Sequence, residues 1–543
     1  MYGRSLCGNR EVSCSTIGRW PRGPRREGDE PKSAMNEREK SDPAIVAAKP
    51  ANKPASAGAE SAERRAGAKE NASQDGTHRT PGRASVSPGL ERVRQVARGL
   101  KKEKFTALLH HVDVDLLRHA YLALKREAAA GVDGVTWRDY GEDLERKLAD
   151  LHDRIHRGAY RAQPSRRQYI PKPDGKERPL GIATLEDKIV QRATVEVLNA
   201  IYEEDFLGFS YGFRPGRRQH DALDALAVGI EHGEVNWILD ADIAGFFDTV
   251  SHEWLIRFVE HRVGDQRVIR LLRKWLKVGV MEDGEVTPGE VGTPQGAVIS
   301  PLLANIYLHY VFDLWAHQWR GRHARGNVII VRYADDIVVG FEHEAEAERF
   351  LAELRQRMAE FALSLHPDKT RLIEFGRLAA QNRRRRGLGK PETFKFLGFT
   401  HICGRSRKGR FQLRRKSRRD RMRAKLRELK AELKRRWHEP IPSQGQWLRQ
   451  VVTGWYNYHA VPINSAALSA FRYHVEGLWL SRLRQRSQKD RTTWARMRDI
   501  ADRWLPRPRI LHPWPSVRFA ATHPRWEPYA SIGLVRICAG GVR

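Results

Sequence analysis

Val328 to Val339 holds two β-branched runs on either side of Tyr333-Ala334-Asp335-Asp336, which reads as two strands joined by a tight turn bearing two carboxylates. Runs this apolar belong inside a sheet, and acids at the ends of buried strands are costly unless a cation or a base compensates them. A second strand, Val235 to Asp242, also ends in acid, at a separation of 335 − 242 = 93 residues. An isolated Asp-Asp in a turn is usually a cap or a turn residue. Two acid-ended strands in one chain argue for more. Hard divalent ions such as Mg²⁺ take carboxylate oxygens and bridge to substrate phosphates. Two such ions, ~3.5–4 Å apart, can stabilise both the attacking and the leaving oxygen of a phosphoryl transfer.

Charge points to the partner of such a site. The 543 residues carry 97 Lys and Arg against 66 Asp and Glu, a net charge of +31, which favours a polyanion. Hydrophobic residues make up 40%, with 15 Trp, so most of the chain is globular. None of Cys7, Cys14, Cys403 and Cys538 forms a C-x-x-C pair, which argues against a disulfide scaffold or a Cys-based zinc module and fits a reducing cytoplasm. No apolar run approaches the roughly 18 residues of a membrane span, and the first residues lack the apolar core of a secretory signal, so no membrane partner is expected.

The composition divides the chain. Residues 1–90 are rich in Ala, Gly, Ser, Pro and charge and are expected to be disordered, with Met35 as an alternative start to Met1. Helix-period apolar residues run from Glu91 to Ala129, where Gly131-Val132-Asp133-Gly134 should stop the helix. From 401 to 440 there are 17 Lys and Arg against 4 Asp and Glu, an excess of 13. Met422, Leu426, Leu429, Leu433 and Trp437 give that stretch one apolar helical face, and the basic helix is expected to cover 414–436.

The motifs, taken in order, resemble those of reverse transcriptases. Tyr333-Ala334-Asp335-Asp336 looks like their catalytic signature, and Asp240-Ala241-Asp242-Ile243-Ala244-Gly245-Phe246-Phe247-Asp248 resembles their first acidic motif in the group II intron form. Arg178-Pro179-Leu180-Gly181-Ile182, Tyr211-Gly212-Phe213-Arg214-Pro215-Gly216, Gly292-Thr293-Pro294-Gln295-Gly296 and Ser300-Pro301-Leu302-Leu303-Ala304-Asn305 also match in family order. Lys369-Thr370-Arg371 and Phe394-Lys395-Phe396-Leu397-Gly398-Phe399 follow. The likeness runs from about residue 95 to 543, and Ala244 departs from the Lys often found there.

The resemblance implies an α/β (α+β) right-hand polymerase, whose fingers and palm have an antiparallel palm sheet carrying the catalytic Asp residues. Its expected parts are a helical extension of the fingers over 91–165, fingers and palm over 166–400, an α-helical thumb or maturase domain X over 401–475, and a basic region over 476–543. Asp242, Asp335 and Asp336 would be catalytic and hold two Mg²⁺ ions. Lys172 and Arg178 would meet the triphosphate of a dNTP, and Phe247 would exclude ribonucleotides, though a solvated loop and plain core packing are the respective alternatives. Gln295 would meet the template–primer backbone or the nascent pair, and Lys369 would protonate departing pyrophosphate or serve as a structural ion pair.

Arg414, Arg415, Lys416, Arg418 and Arg419, with Trp455 and Tyr456 of Gly454-Trp455-Tyr456-Asn457-Tyr458-His459, would grip RNA through phosphate contacts and stacking. A core helix with a solvated basic face is the alternative. The partners implied are group II intron RNA, an RNA template with a DNA primer, and target DNA, in a bacterial cytoplasm at the nucleoid or in an RNA–protein particle. With one nearby Cys and no paired cysteines at the end, the chain looks like the subgroup without an H-N-H endonuclease. Two other readings compete: an RNA-binding splicing factor whose polymerase has decayed, which the intact acids oppose, and a retron or defence-type reverse transcriptase, which would not need the basic segment.

Overall fold

The structure, a computed structural model, describes residues 87–171, 177–486 and 491–522. Lys172, Cys7, Cys14, Cys538 and the expected N-terminal tail up to residue 86 lie outside the described residues. The strands are β1 (Ser165–Pro171), β2 (Glu177–Ile182), β3 (Trp237–Asp242), β4 (Val280–Glu282), β5 (Glu285–Thr287) and β6 (Val328–Tyr333). They continue with β7 (Asp336–Phe341), β8 (Arg371–Glu374), β9 (Phe394–Phe396), β10 (Phe399–Arg405) and β11 (Phe411–Ser417). Three sheets result, ordered β2-β1-β4-β5, β6-β7-β3-β8 and β11-β10-β9. All strand pairs are antiparallel except β1 with β4.

The middle sheet is buried on both faces, which is why its strands read as unbroken apolar runs. Leu239, Ala241, Ile330, Ile337, Val339 and Phe341 enter one core, shared with the helix Leu185–Asp205. Ile238, Ile329, Val331, Val338 and Ile373 enter a second core, against the helix Gln219–His232 and Phe394, Phe396 and Phe399 of the third sheet. Alternation puts Asp240 and Asp242 on the same face as Ile238.

The N-terminal pattern is not one continuous helix. Ser87 caps a helix over Pro88–Gly99 by accepting the Leu90 N–H, and Asp113 caps a second over Val114–Ala123 by accepting the Leu116 N–H. Between them Phe105 leaves helical geometry to bridge Val263, while the buried Asp265 carboxylate takes the N–H groups of Leu108 and Leu109 at 2.8 and 2.9 Å.

The basic segment also departs from expectation. Residues 411–417 are strand, and the helix covers Arg419–Arg435, so Trp437 falls beyond it. Leu429 and Leu433 are buried, with Met422 and Leu426 packed beside them, against the helices Ile441–His459, Ser465–Arg484 and Trp494–Trp504. The third sheet runs through position 400 and the helix Ser465–Arg484 through position 475, so neither expected boundary is a break in the fold. The last described helix, Pro515–Thr522, returns to Gln219–His232, where Phe519 enters the second core. Among the described residues no helix is long and apolar enough to cross a membrane.

Candidate active site

Register brings the acids together. In the β3–β7 pair Asp242 stands directly opposite Asp336, and in the β6–β7 hairpin Tyr333 pairs with Asp336, leaving Ala334 and Asp335 as the two-residue turn. Ala334 adopts φ +56°, a left-handed conformation that disfavours a residue with a Cβ. The surroundings enforce it. Arg332, fully buried, donates through Nη1 to the Ala334 carbonyl at 3.1 Å and to Asn305 Oδ1 at 3.0 Å, and through Nε and Nη2 to Asp313 at 2.7 and 2.5 Å. Asn305 in turn donates to the Gly212 carbonyl at 2.7 Å. Gly212 lies so close under the turn that any side chain there would collide with the Ala334 backbone nitrogen. The segment Phe209–Tyr211 is bonded to both sides of the Arg332 peptide, which seats the Tyr211–Gly216 motif beside the acids.

Asp313 ends a wide π-helical turn, His309–Asp313, following the helix Ser300–Leu308. Such turns recur at functional sites because they re-aim side chains. Sequence reasoning passed over Arg332 and Asp313. The signal for Arg332 was present, since a lone charge inside an apolar strand demands a buried partner.

Two cations attend the carboxylates. Lys369 Nζ donates to Asp242 Oδ2 at 3.0 Å, and Arg371 lies 3.7 Å from Asp240. Burial pushes the Asp240 carboxyl up to about 6; Arg371 opposes the shift, while Asp336 and Asp242 add to it. Among the described residues no three His, Cys, Asp or Glu side chains converge as ligands of one ion. The side chains that register brings together here, Asp242 and Asp336, offer carboxylate oxygens, the donor chemistry a hard divalent cation takes, and the Lys369 ammonium pairs with one of them.

The remaining candidates surround this centre unevenly. Phe247, in the short helix Phe246–Thr249, is half-buried against the first core, and its carbonyl accepts the Thr293 N–H at 2.8 Å. Gln295 donates to Asp248 Oδ1 at 3.3 Å and accepts the Gly181 N–H at 2.6 Å, tying its loop to β2. Arg178 is exposed on β2, opposite Ile170.

Of the residues expected to hold RNA, Lys416 and Arg419 are exposed, and half-buried Arg418 is held by Asp420 at 3.1 Å. Arg414 is half-buried and donates to the Arg405 carbonyl at 2.8 Å. Two of these residues are buried where exposure was expected. Arg415 is buried and donates to Asp224 at 3.0 Å, because β11 turns it inward while Arg414 and Lys416 turn outward. Tyr456 is buried in the third core, and Trp455 stacks on Phe471 with centroids 4.5 Å apart. Arg415 and Tyr456 are therefore buried against protein, whereas Trp455 is half-buried.

A family model described as reverse transcriptase (RNA-dependent DNA polymerase) matches residues 170–401. Protein YkfC of Escherichia coli (strain K12) is 34% identical over 323 residues, covering 54% of this chain and 81% of YkfC. The group II intron-encoded protein LtrA of Lactococcus lactis subsp. cremoris is 37% identical over 222 residues, covering 40% of this chain and 37% of LtrA. An uncharacterized 91 kDa protein in the cob intron of Schizosaccharomyces pombe is 43% identical over 146 residues, 27% of this chain and 18% of that protein.

Proposed function

We propose how this chain, which belongs to the reverse transcriptases of the group II intron-encoded kind, copies RNA into DNA and assists its intron. In our reading of the right-hand polymerase fold, β1 and β2 belong to the fingers and β3, β6, β7 and β8 form the palm. The helices after Ser417 form the thumb and maturase domain. The carrying observation is Asp242 opposite Asp336, with Asp335 in a turn that Arg332 and Gly212 hold rigid.

Asp242, Asp335 and Asp336 would hold the divalent ions that reverse transcriptase domains use, two Mg²⁺ in our reading, which supply charge stabilisation to the attacking and leaving oxygens. The primer 3′-hydroxyl would lose its proton to solvent, and its oxygen would bond to the α-phosphorus of a dNTP as the bond to pyrophosphate breaks. Lys369, freed from Asp242, would give the departing pyrophosphate its proton. Arg178 and Lys172 would hold triphosphate oxygens, Phe247 would close the space that a ribose 2′-hydroxyl needs, and Gln295 would back the nascent pair. The test is primer extension on an RNA template. Asp335→Asn should abolish nearly all synthesis while RNA affinity persists; full activity in that variant would remove the metal assignment.

The second half of the proposal is intron RNA binding that promotes splicing, with intron mobility into target DNA. It rests on a stripe of exposed cations, Arg423, Arg427, Lys430 and Lys434, along the helix Arg419–Arg435, and on likeness to proteins named for their introns. Splicing of the cognate intron with and without protein tests it. A splicing factor without polymerase activity is the poorer reading, since all three acids are present, Asp242 and Asp336 opposite each other in register and Asp335 in the adjoining turn.

A further inference from the structure

With Tyr456 buried and Trp455 half-buried, the most exposed aromatic rings of the helices Ser465–Arg484 and Trp494–Trp504 are two others. Tyr473, on the helix Ser465–Arg484, is 59% exposed, and Trp494, the first residue of Trp494–Trp504, is 38% exposed. Their planes are 2° from parallel with centroids 5.6 Å apart, so two helices hold one small stack in place before anything binds. The indole edge lies beside Gly477, one turn beyond Tyr473. Single exposed aromatics are ordinary. An ordered, parallel pair is less so, and three exposed arginines, Arg491, Arg496 and Arg498, stand within four residues of Trp494, outnumbering the two acids that flank them in sequence, Asp490 and Asp499.

We propose that Tyr473 and Trp494 form a stacking platform for an unpaired RNA base, with Arg491, Arg496 and Arg498 meeting the flanking phosphates. This rests on the reading that the chain binds intron RNA and names residues for that contact. Single-stranded RNA suits the site because every base offers a π-face while its backbone supplies the charge that these arginines match. A rigid pair also loses little side-chain freedom on binding.

The experiment uses the full chain with its polymerase channel occupied by saturating primer–template, and two probes of equal charge. One is a short oligouridine; the other is the same strand with abasic residues at its centre. The wild type should prefer the base-bearing strand by roughly fivefold or more. Tyr473→Ala should close most of that gap while leaving abasic-strand affinity unchanged, and Tyr473→Phe should preserve the gap. Trp494→Ala should act like Tyr473→Ala; should it misfold, Tyr473→Ala decides alone, because that side chain is mostly in solvent. A full gap in folded Tyr473→Ala overturns the platform. Failure of the proposed function reads differently: the wild type itself would neither extend a primer on RNA nor bind intron RNA.

Discussion

Arg332 makes four hydrogen bonds from a fully buried position, and only one of them reaches the acid-bearing turn. The others fix the arginine itself, so the turn inherits the rigidity of the core beneath it. Arg332→Leu would leave Asp313 buried without its partner, a loss on the order of 3–5 kcal/mol. Denaturant unfolding should show that loss, and primer extension should fall with it; a variant as stable as the wild type would contradict the clamp. Phe247→Ala should act differently, leaving DNA synthesis largely intact while raising ribonucleotide incorporation, measured by competing rNTPs and dNTPs. Equal discrimination in both proteins would return Phe247 to plain packing. The three acids were legible because carboxylates interrupt apolar strands. Asp313 was not, because it sits in a helical stretch where an acid looks like solvent-facing charge.

A strand can hide inside a basic run. Residues 414–417 looked like the start of a basic helix, yet they belong to β11, on which Leu413, Arg415 and Ser417 point inward. Period-two patterning fails to show when an inward position is Arg, and its partner Asp224 lies 191 residues away. The following helix was readable, since its apolar and cationic stripes each step by 4, 3 and 4: Met422, Leu426, Leu429, Leu433, and Arg423, Arg427, Lys430, Lys434. The cationic stripe carries the next expectation. Changing those four cations to Gln should weaken intron RNA binding and reduce the slope of log K against log salt by roughly 0.7–0.9 for each phosphate no longer neutralised. Protein-assisted splicing should suffer more than synthesis on a saturating primer–template. Normal splicing with failed synthesis would assign the helix to the polymerase alone. The aromatic motif is divided in the same way: inside the helix Ile441–His459, Leu448, Val452, Tyr456 and His459 repeat as the buried face, and Trp455 lies beside it half-buried.

Burial couples the whole molecule to pH. It lowers His309 to about 4, His401 and His459 to about 3 and His220 to about 2. Unfolded, each titrates near 6.5. The unfolded chain therefore binds more protons below that value, so stability is full above pH ~6.5 and falls as pH drops, by about 1.4 kcal/mol per unit for each histidine. His401 stacks on Phe394 at 4.7 Å and 8°. His401→Phe should remove about one proton from that slope in unfolding measured between pH 5 and 6.5; an unchanged slope would mean that His401 protonates without unfolding. No sequence pattern announces such groups, because a histidine's burial is decided by distant elements. The same distance governs Asp224, whose carboxylate is shared by Arg415 and Arg518. Arg518 follows Asp224 by 294 residues. At a synthesis rate of ~5–20 residues per second, the carboxylate emerges from the ribosome roughly 15 to 60 s before its second cation. Throughout that interval the pocket for Phe519 faces water and the helix Gln219–His232 lacks its last cover. The second core is thus closed only once Arg518 and Phe519 have been made, so the acid-bearing sheet spends most of its synthesis time with one face incompletely covered.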